Sequence, residues 1–344
     1  MESNSGRIRS NLLTELTSYN VCWMKRKFLS VATNDPIALI TGASSGFGLL
    51  TAVTLAERGW RVIATMRDLE RRSRLEEAAR AAGVLDRIEI LLLDVNDAAQ
   101  IAALAATMAV RPVHAIVNNA GFAMAGFCDD VSDAELRRQF DTNFFAYAAV
   151  TRAFLPQLRQ QGFGHIVMVS SISGRVGFPG IGSYVASKHA LEGWTESLRL
   201  EMLPLGIQVA LVEPGSFETG IWTRGAVVCE AAQEAVLDHG RSDDTGLPPI
   251  PPSTRKEWGA ERSLGTLPSP NVDRMKKLVS RVLGSKKRPN PQIVADCIAR
   301  ILKTPRPRPR YVVGADARHV LLLRTLLPWR LYEQLIVKAS GIGE

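Results

Sequence analysis

The sequence predicts an α/β protein: a doubly wound parallel sheet of about seven strands, flanked by helices, in a single domain. Three observations predict it. Short runs rich in β-branched residues alternate with helical segments from residue 37 to 212. The first run leads into a glycine-rich turn, Thr41-Gly42-Ala43-Ser44-Ser45-Gly46-Phe47-Gly48, and the turn into a helix. Polar clusters fall at the carboxyl ends of the runs, where open parallel sheets hold their ligands.

Residues 1–35 are polar and aperiodic and read as a leader, flexible or a short helix; Met24 stands just before the domain, so 1–23 are expected to be dispensable. Strand one is Ile37-Ala38-Leu39-Ile40, and the helix after the glycine turn runs to Glu57, with Gly59 ending it. Strands two to six are read at 61–65, 88–93, 115–117, 166–169 and 208–212. Helices separate them: one through Ala82, one around 97–109, a long one over roughly 133–160, and one opened by Tyr184 that runs to Leu203. Parallel strands need such crossovers.

From about 216 to 289 the pattern breaks down around Pro248-Pro249-Ile250-Pro251-Pro252, which reads as a long loop, functional or disordered. Regular structure resumes with Asn290-Pro291 as N-cap and first turn, a helix to Lys303, a stiff proline connector and a last strand at 310–313. The main domain is placed at 36–330. A basic helical tail at 317–344 overlaps its end, with one apolar helix from His319 to Lys338.

A chain of 344 residues suits one large α/β domain or two ordinary ones, and 46% apolar with 22% charged residues is ordinary for a soluble protein. Cys22, Cys128, Cys229 and Cys297 lack disulfide or metal spacing, so a reducing, cytoplasmic setting and no metal are expected. No apolar run reaches the roughly 18–20 residues that span a bilayer. The apolar stretch after Met24-Lys25-Arg26-Lys27 is too short for a signal-peptide core. The net charge of +8 is uneven: residues 271–344 hold 16 Lys/Arg against 5 Asp/Glu. A solvated basic tail is the first reading and association with an anionic membrane surface the alternative. No nucleic-acid motif interleaves these residues, so no nucleic-acid partner is expected.

Strand five ends at Ser170-Ser171-Ile172-Ser173, and Tyr184 and Lys188 follow four apart, on one face of the next helix. A hydroxyl at a strand end beside such a pair suits acid–base chemistry on a C–O bond. Lys⁺ near a phenol lowers its pKa, and the serine can hold the substrate oxygen while the proton moves. The glycine turn between strand and helix suits the phosphates of a dinucleotide: glycine permits a tight turn and close approach, and the helix offers free N–H groups.

Taken together these residues resemble the short-chain dehydrogenase/reductase family, across roughly 36–220 and more loosely 290–330. The motifs that carry the resemblance are Thr41-Gly42-x-x-x-Gly46-x-Gly48, Asp94, Asn118-Asn119-Ala120-Gly121, Asn143, Ser171, Tyr184, Lys188, and Pro214-Gly215 with Thr219. Ser171 stands thirteen before Tyr184, the family's usual spacing, and is preferred to Ser170 or Ser173. The resemblance implies a Rossmann-type, nicotinamide-dependent alcohol/carbonyl oxidoreductase. Tyr184 would be the general acid in reduction and the base in oxidation. Lys188 would hold the nicotinamide ribose, Ser171 polarise the carbonyl and Asn143 anchor a relay water. Gly42, Ser44, Ser45, Gly46, Phe47 and Gly48 would cradle the cofactor, with Asp94 and Val95 at the adenine. Asn119, Ala120, Gly121, Pro214 and Gly215 would line its site, and Thr219 would hold the nicotinamide amide. Read singly, Asn143 also suits a helix kink, Asp94 an N-cap and Pro214-Gly215 a turn.

Where the family's NAD-users place an acid after strand two, this chain has Met66, followed by Arg67, whose planar cation suits a 2′-phosphate. NADP(H) is therefore expected and NAD(H) is the alternative; the competing reading of Arg67 is a solvated turn residue, with Asp68 capping the next helix. The Glu-x-Pro-Gly segment and Arg310-Tyr311-Val312-Val313-Gly314 resemble the hydroxysteroid and retinol dehydrogenase branch, which implies a lipophilic alcohol or ketone. The loop after Thr219, with Ile221 and Trp222, would be its lid. A non-catalytic dinucleotide-binding redox sensor is the reading from another class. The resemblance further implies a homodimer or homotetramer, paired through the long helices flanking strand five.

Overall fold

The computed structural model describes residues 35–217, the backbone of 226–228, residues 271, 274, 275, 277 and 278, and residues 288–342. The leader and most of the predicted loop lie outside the described residues. The strands are β1 (Ile37–Ile40), β2 (Arg61–Met66), β3 (Ile88–Leu92), β4 (Val113–Asn118), β5 (Ala123–Ala125), β6 (Gly164–Val169), β7 (Ile207–Pro214), β8 (Ala226–Val228) and β9 (Arg310–Val313). The helices are α1 (Gly46–Glu57), α2 (Ser73–Ala81), α3 (Ala98–Met108), α4 (Asp133–Phe140), α5 (Ala146–Gln161), α6 (Gly182–Met202), α7 (Gln292–Lys303), α8 (Ala315–Leu326) and α9 (Trp329–Ser340).

Seven strands form one sheet in the order β3–β2–β1–β4–β6–β7–β9, and every neighbouring pair is parallel. The short apolar runs become strands because both sheet faces are covered, so β1, β4 and β7 are buried along their whole length. Alternation then divides each strand between two cores. Ala38 and Ile40 join Leu55, Leu75 and Ile298 under α1, α2 and α7, while Ile37 and Leu39 join Leu104, Phe154 and Leu191 under α3, α5 and α6. The strand order reverses at the β1/β4 boundary, which opens a crevice at the carboxyl ends of these two strands.

Three sequence expectations change. The long helix over 133–160 is two helices joined by a π turn at Asp141–Phe145. A capping box between Ser132 and Glu135 starts α4, and Gly162, at φ +69°, stops α5. The single C-terminal helix is α8 and α9, because Pro328 cannot continue α8 and forces Leu327 into an extended conformation. These helices are no free tail: Ala317 and Tyr332 are buried against Ile172 and Val176. The predicted loop contains a strand, β8, paired in parallel with β5 in a separate two-stranded sheet. Farther along that segment, Met275 and Leu278 are buried beside Gly180.

Phe154 is 1% exposed and lies in the core between α5 and the sheet. Phe154→Ala is expected to lower stability by about 3–5 kcal/mol, through lost burial plus the cavity left behind. Urea unfolding of the two proteins checks this, and a loss below about 1 kcal/mol would show that the site collapses around the gap.

Candidate active site

At the end of β1 the chain turns sharply, with Gly42 at φ +70° and Gly46 at +57°. A Cβ on Gly42 would lie 2.7 Å from the Ala120 Cα. On Gly48 it would lie within 2.3 Å of the Gly42 carbonyl oxygen. The turn is thus packed backbone to backbone against the exit of β4. Asn119 Nδ2 donates to the carbonyls of Thr41 and Gly42 at 3.0 Å each, and the amides of Asn119 and Ala120 donate to Thr41 Oγ1 at 2.9 and 3.1 Å. Ser45 is the N-cap of α1, but its side chain makes no capping bond, so the helix's leading N–H groups have no hydroxyl partner there. Ser44 is half-buried beside it. Phe47 closes one side by packing edge-on against Phe217, ring centroids 5.6 Å apart. A cradle of donors that no side chain can fill suits a pyrophosphate.

β6 ends at Val169, and the chain places Ser170, Ser171 and Ser173 in the buried turn that follows. Ser171 is the serine that meets the helix: its hydroxyl is hydrogen-bonded to Tyr184 and also accepts from the Ser173 amide at 3.1 Å. Lys188 lies one turn along α6, buried, with Nζ donating to the Val169 carbonyl at 2.9 Å. Its ammonium stands 5.0 Å from the Tyr147 ring centroid and 5.9 Å from that of Tyr184. Burial pulls the lysine down to about 7, while the nearby Glu192 charge opposes the shift. The Tyr184 phenol is raised by burial, against the Ser171 hydrogen bond. This differs from the expected lowering by Lys188, whose ammonium is aimed at a carbonyl rather than at the phenol oxygen.

Asn143 sits in the π turn, fully buried. Its Nδ2 donates to the Phe122 carbonyl at 2.9 Å and to Ser187 Oγ at 3.3 Å, and its Oδ1 accepts from the Phe122 amide at 3.1 Å. The side chain therefore ties the segment between β4 and β5 to α6, one residue from Lys188. Gly121 is pressed against it: a Cβ there would lie 3.0 Å from Asn143 Oδ1.

Asp94 caps no helix. It accepts from the Asn96 amide at 2.9 Å, and the cap of α3 is Asp97. Val95 is buried next to Asp94. Met66 is 2% exposed and Arg67, the next residue, is exposed, while Asp68 caps the following turn as the alternative reading anticipated. Arg138 on α4 stacks over the Phe122 ring at 5.5 Å, and its pKa is lowered by burial and then by the Arg67 charge. Two guanidinium groups therefore influence each other beside the crevice. Pro214 ends β7, and Gly215 follows with its amide on Val313 O at 2.9 Å. Thr219, Ile221 and Trp222 lie outside the described residues.

Several partners escaped the sequence reading. Tyr147 lies four residues after Asn143 and donates its hydroxyl to the Val169 carbonyl at 3.2 Å. Glu192 lies four after Lys188 and pairs with Arg310 at 3.0 Å; Arg310 also reaches Glu213 at 3.1 Å and Glu196 at 2.6 Å. Helical spacing from a known residue was the available signal for Tyr147 and Glu192. Among the described residues, no side-chain cluster could hold a metal ion, and no helix is long and apolar enough to cross a membrane.

The family model described as short chain dehydrogenase matches residues 36–226. A Bacillus subtilis protein named uncharacterized oxidoreductase YusZ is 40% identical over 308 residues, spanning 89% of this chain and 98% of that one. Human 17-beta-hydroxysteroid dehydrogenase type 1 is 38% identical over 187 residues, 53% of this chain and 57% of that one. A solved short chain dehydrogenase/reductase from Burkholderia phymatum, in complex with NAD, aligns with TM-score 0.65 and 26% identity, covering 85% of this chain and 93% of that one.

The carboxylate cluster yields a pH test. Burial, then the Glu192 charge, pushes the Glu213 carboxyl up to about 7, against Arg175 and Arg310. A carboxyl raised on folding stabilises below its unfolded value of 4.5 and loses that contribution as pH rises through the folded value. Urea unfolding of wild type and Glu213→Gln at pH 4.5 and pH 7.5 is expected to show the wild type losing about 1–3 kcal/mol relative to the variant. A constant difference would mean that Glu213 titrates normally.

Proposed function

Because the chain belongs to the short-chain dehydrogenase family of oxidoreductases, we propose that it interconverts a lipophilic alcohol and its ketone or aldehyde, using NADP(H). The observation that carries the reading is the placement of Ser171 against Tyr184, with Lys188 one turn along the same helix on the Val169 carbonyl, at the end of the same sheet as the glycine cradle.

The residues present fit the cofactor, since the cradle at Gly42 and Gly48 admits no side chain and offers main-chain donors. When bound, the reduced nicotinamide supplies the hydride taken up by the carbonyl carbon. Ser171 Oγ holds the substrate oxygen. Tyr184 gives that oxygen its phenolic proton in reduction and takes it back in oxidation; a phenol raised by burial stays protonated until the oxygen begins to gather charge. Lys188 stabilises the phenolate left behind and holds the ribose hydroxyls, its ammonium kept in place by Val169 and the face of Tyr147. Asn143 serves the relay by position, since its amide is engaged with Phe122 and Ser187.

NADP(H) is favoured by the buried Met66 where an acid would be needed for NAD and by the exposed Arg67 beside it. Arg138 adds a second positive charge that a 2′-phosphate would offset. An apolar substrate is favoured by Met275 and Leu278, buried against Gly180 just before α6, and by the likeness to an enzyme of hydroxysteroids. Phe145 and Leu200, exposed on the π turn and on α6, offer an apolar face for pairing of copies.

Tyr184→Phe is expected to cut kcat by about 10²–10⁴ while NADPH still binds. Absorbance of the reduced nicotinamide, followed with a panel of lipophilic ketones, reads this out, and unchanged turnover would remove Tyr184 from the mechanism. Arg67→Ala is expected to weaken NADPH by roughly tenfold or more, the worth of a charge-assisted bond, and NADH little. Equal losses for both would refute the 2′-phosphate contact.

A further inference from the structure

Among the described residues the sheet ends at β9, which is paired on one side only, with β7. Beyond it opens a groove of about 620 Å³ between the outer face of α7, β9 and the start of α8. Three strands of the sheet, β4, β6 and β7, lie between β9 and β1, so this groove is distinct from the glycine cradle. Arg300, Arg308, Arg310 and Arg318 all line it, with Asp296 the one acid among the lining residues. Asp296 is paired with Arg58, and Arg310 is engaged by Glu192, Glu196 and Glu213. Three guanidinium groups remain, with no carboxylate among the described lining residues to answer them.

They converge. The thiol of Cys297, buried at the groove floor, is raised by burial but is hydrogen-bonded by Arg300 and feels the charge of Arg318. Both cations therefore approach one point, from α7 and from α8. Arg308 enters from the proline connector on the third side. Converging like charges repel unless an anion lies between them, and planar guanidinium forks match the tetrahedral oxygens of a phosphate. The open strand edge adds a donor. In a parallel ladder one residue's N–H and C=O point to the same side, and Val313 faces β7 through its bond from Gly215. Its neighbour Val312, which lines the groove, thus turns its amide to the open side.

We infer that this groove binds a phosphate group through Arg300, Arg308 and Arg318, independently of the cofactor site. The phosphate belongs either to a small soluble ester or to a lipid headgroup. The second source is served by Leu322 and Leu326, exposed one turn apart on α8, the helix whose first turn carries Arg318.

The test uses the full chain and two ligands, inorganic phosphate by calorimetric titration and phosphatidylcholine vesicles with or without phosphatidic acid by flotation. Saturable phosphate binding, weakened roughly tenfold or more by Arg308→Gln and by Arg318→Gln, supports the site and a soluble ester. Flotation only with phosphatidic acid, lost in the same variants, supports the site and a lipid headgroup. Arg324→Gln, which removes an α8 arginine stacked on Trp329 outside the groove, should change neither. NADPH affinity should stay unchanged in all three variants, which keeps this site separate from the proposed cofactor chemistry. Absence of binding to both ligands, or binding indifferent to Arg308 and Arg318, overturns the inference.

Discussion

The carbonyl oxygen of Val169 accepts hydrogen bonds from the Lys188 ammonium and the Tyr147 hydroxyl, and the rest of the candidate site depends on it. A lysine taken fully out of water loses its proton unless something answers the charge. Here a strand-end dipole, an aromatic face and the more distant Glu192 answer part of it, and burial still pulls the lysine down to about 7. The arrangement explains why the helix must begin where it does. Moving α6 by one residue along β6 would rotate Lys188 away from the carbonyl and Tyr184 away from Ser171.

A second constraint fixes the opposite wall. Gly42 and Gly48 let the β1 exit touch the β4 exit, and Asn119 and Thr41 lock that contact from both sides. The crevice is therefore defined by main chain more than by side chains. Asn143 then links the segment between β4 and β5 to α6, so the two walls form one hydrogen-bonded unit.

How much of this was legible in the sequence follows from distance along the chain. The seven sheet strands and the motifs at their ends are local signals, readable from a few consecutive residues or a four-residue helical step. The π turn at Asp141–Phe145 was not, because Asp-Thr-Asn-Phe-Phe holds neither Pro nor Gly and extends a helical period without a visible fault. The break at Pro328 was written in the chain, but the apolar period on both sides concealed it. Three-residue β5 and β8 are too short to show an alternation. Burial of Tyr184 was equally invisible, and it reversed the direction expected for its pKa. Glu192, Glu213 and Arg310 meet only because β9 closes the sheet beside β7, a juxtaposition spanning more than a hundred residues for Glu192 and Arg310.

That last juxtaposition bears on biosynthesis. Ser171, Tyr184, Lys188 and both buried glutamates are all translated before the loop and α7, yet the cation that joins Glu192 to Glu213 arrives only with β9. A nascent chain paused before residue 310 would carry the candidate catalytic residues with two buried carboxylates short of their shared partner. The edge strand thus completes the electrostatics of a centre assembled earlier, and the chain matures from its far end inward.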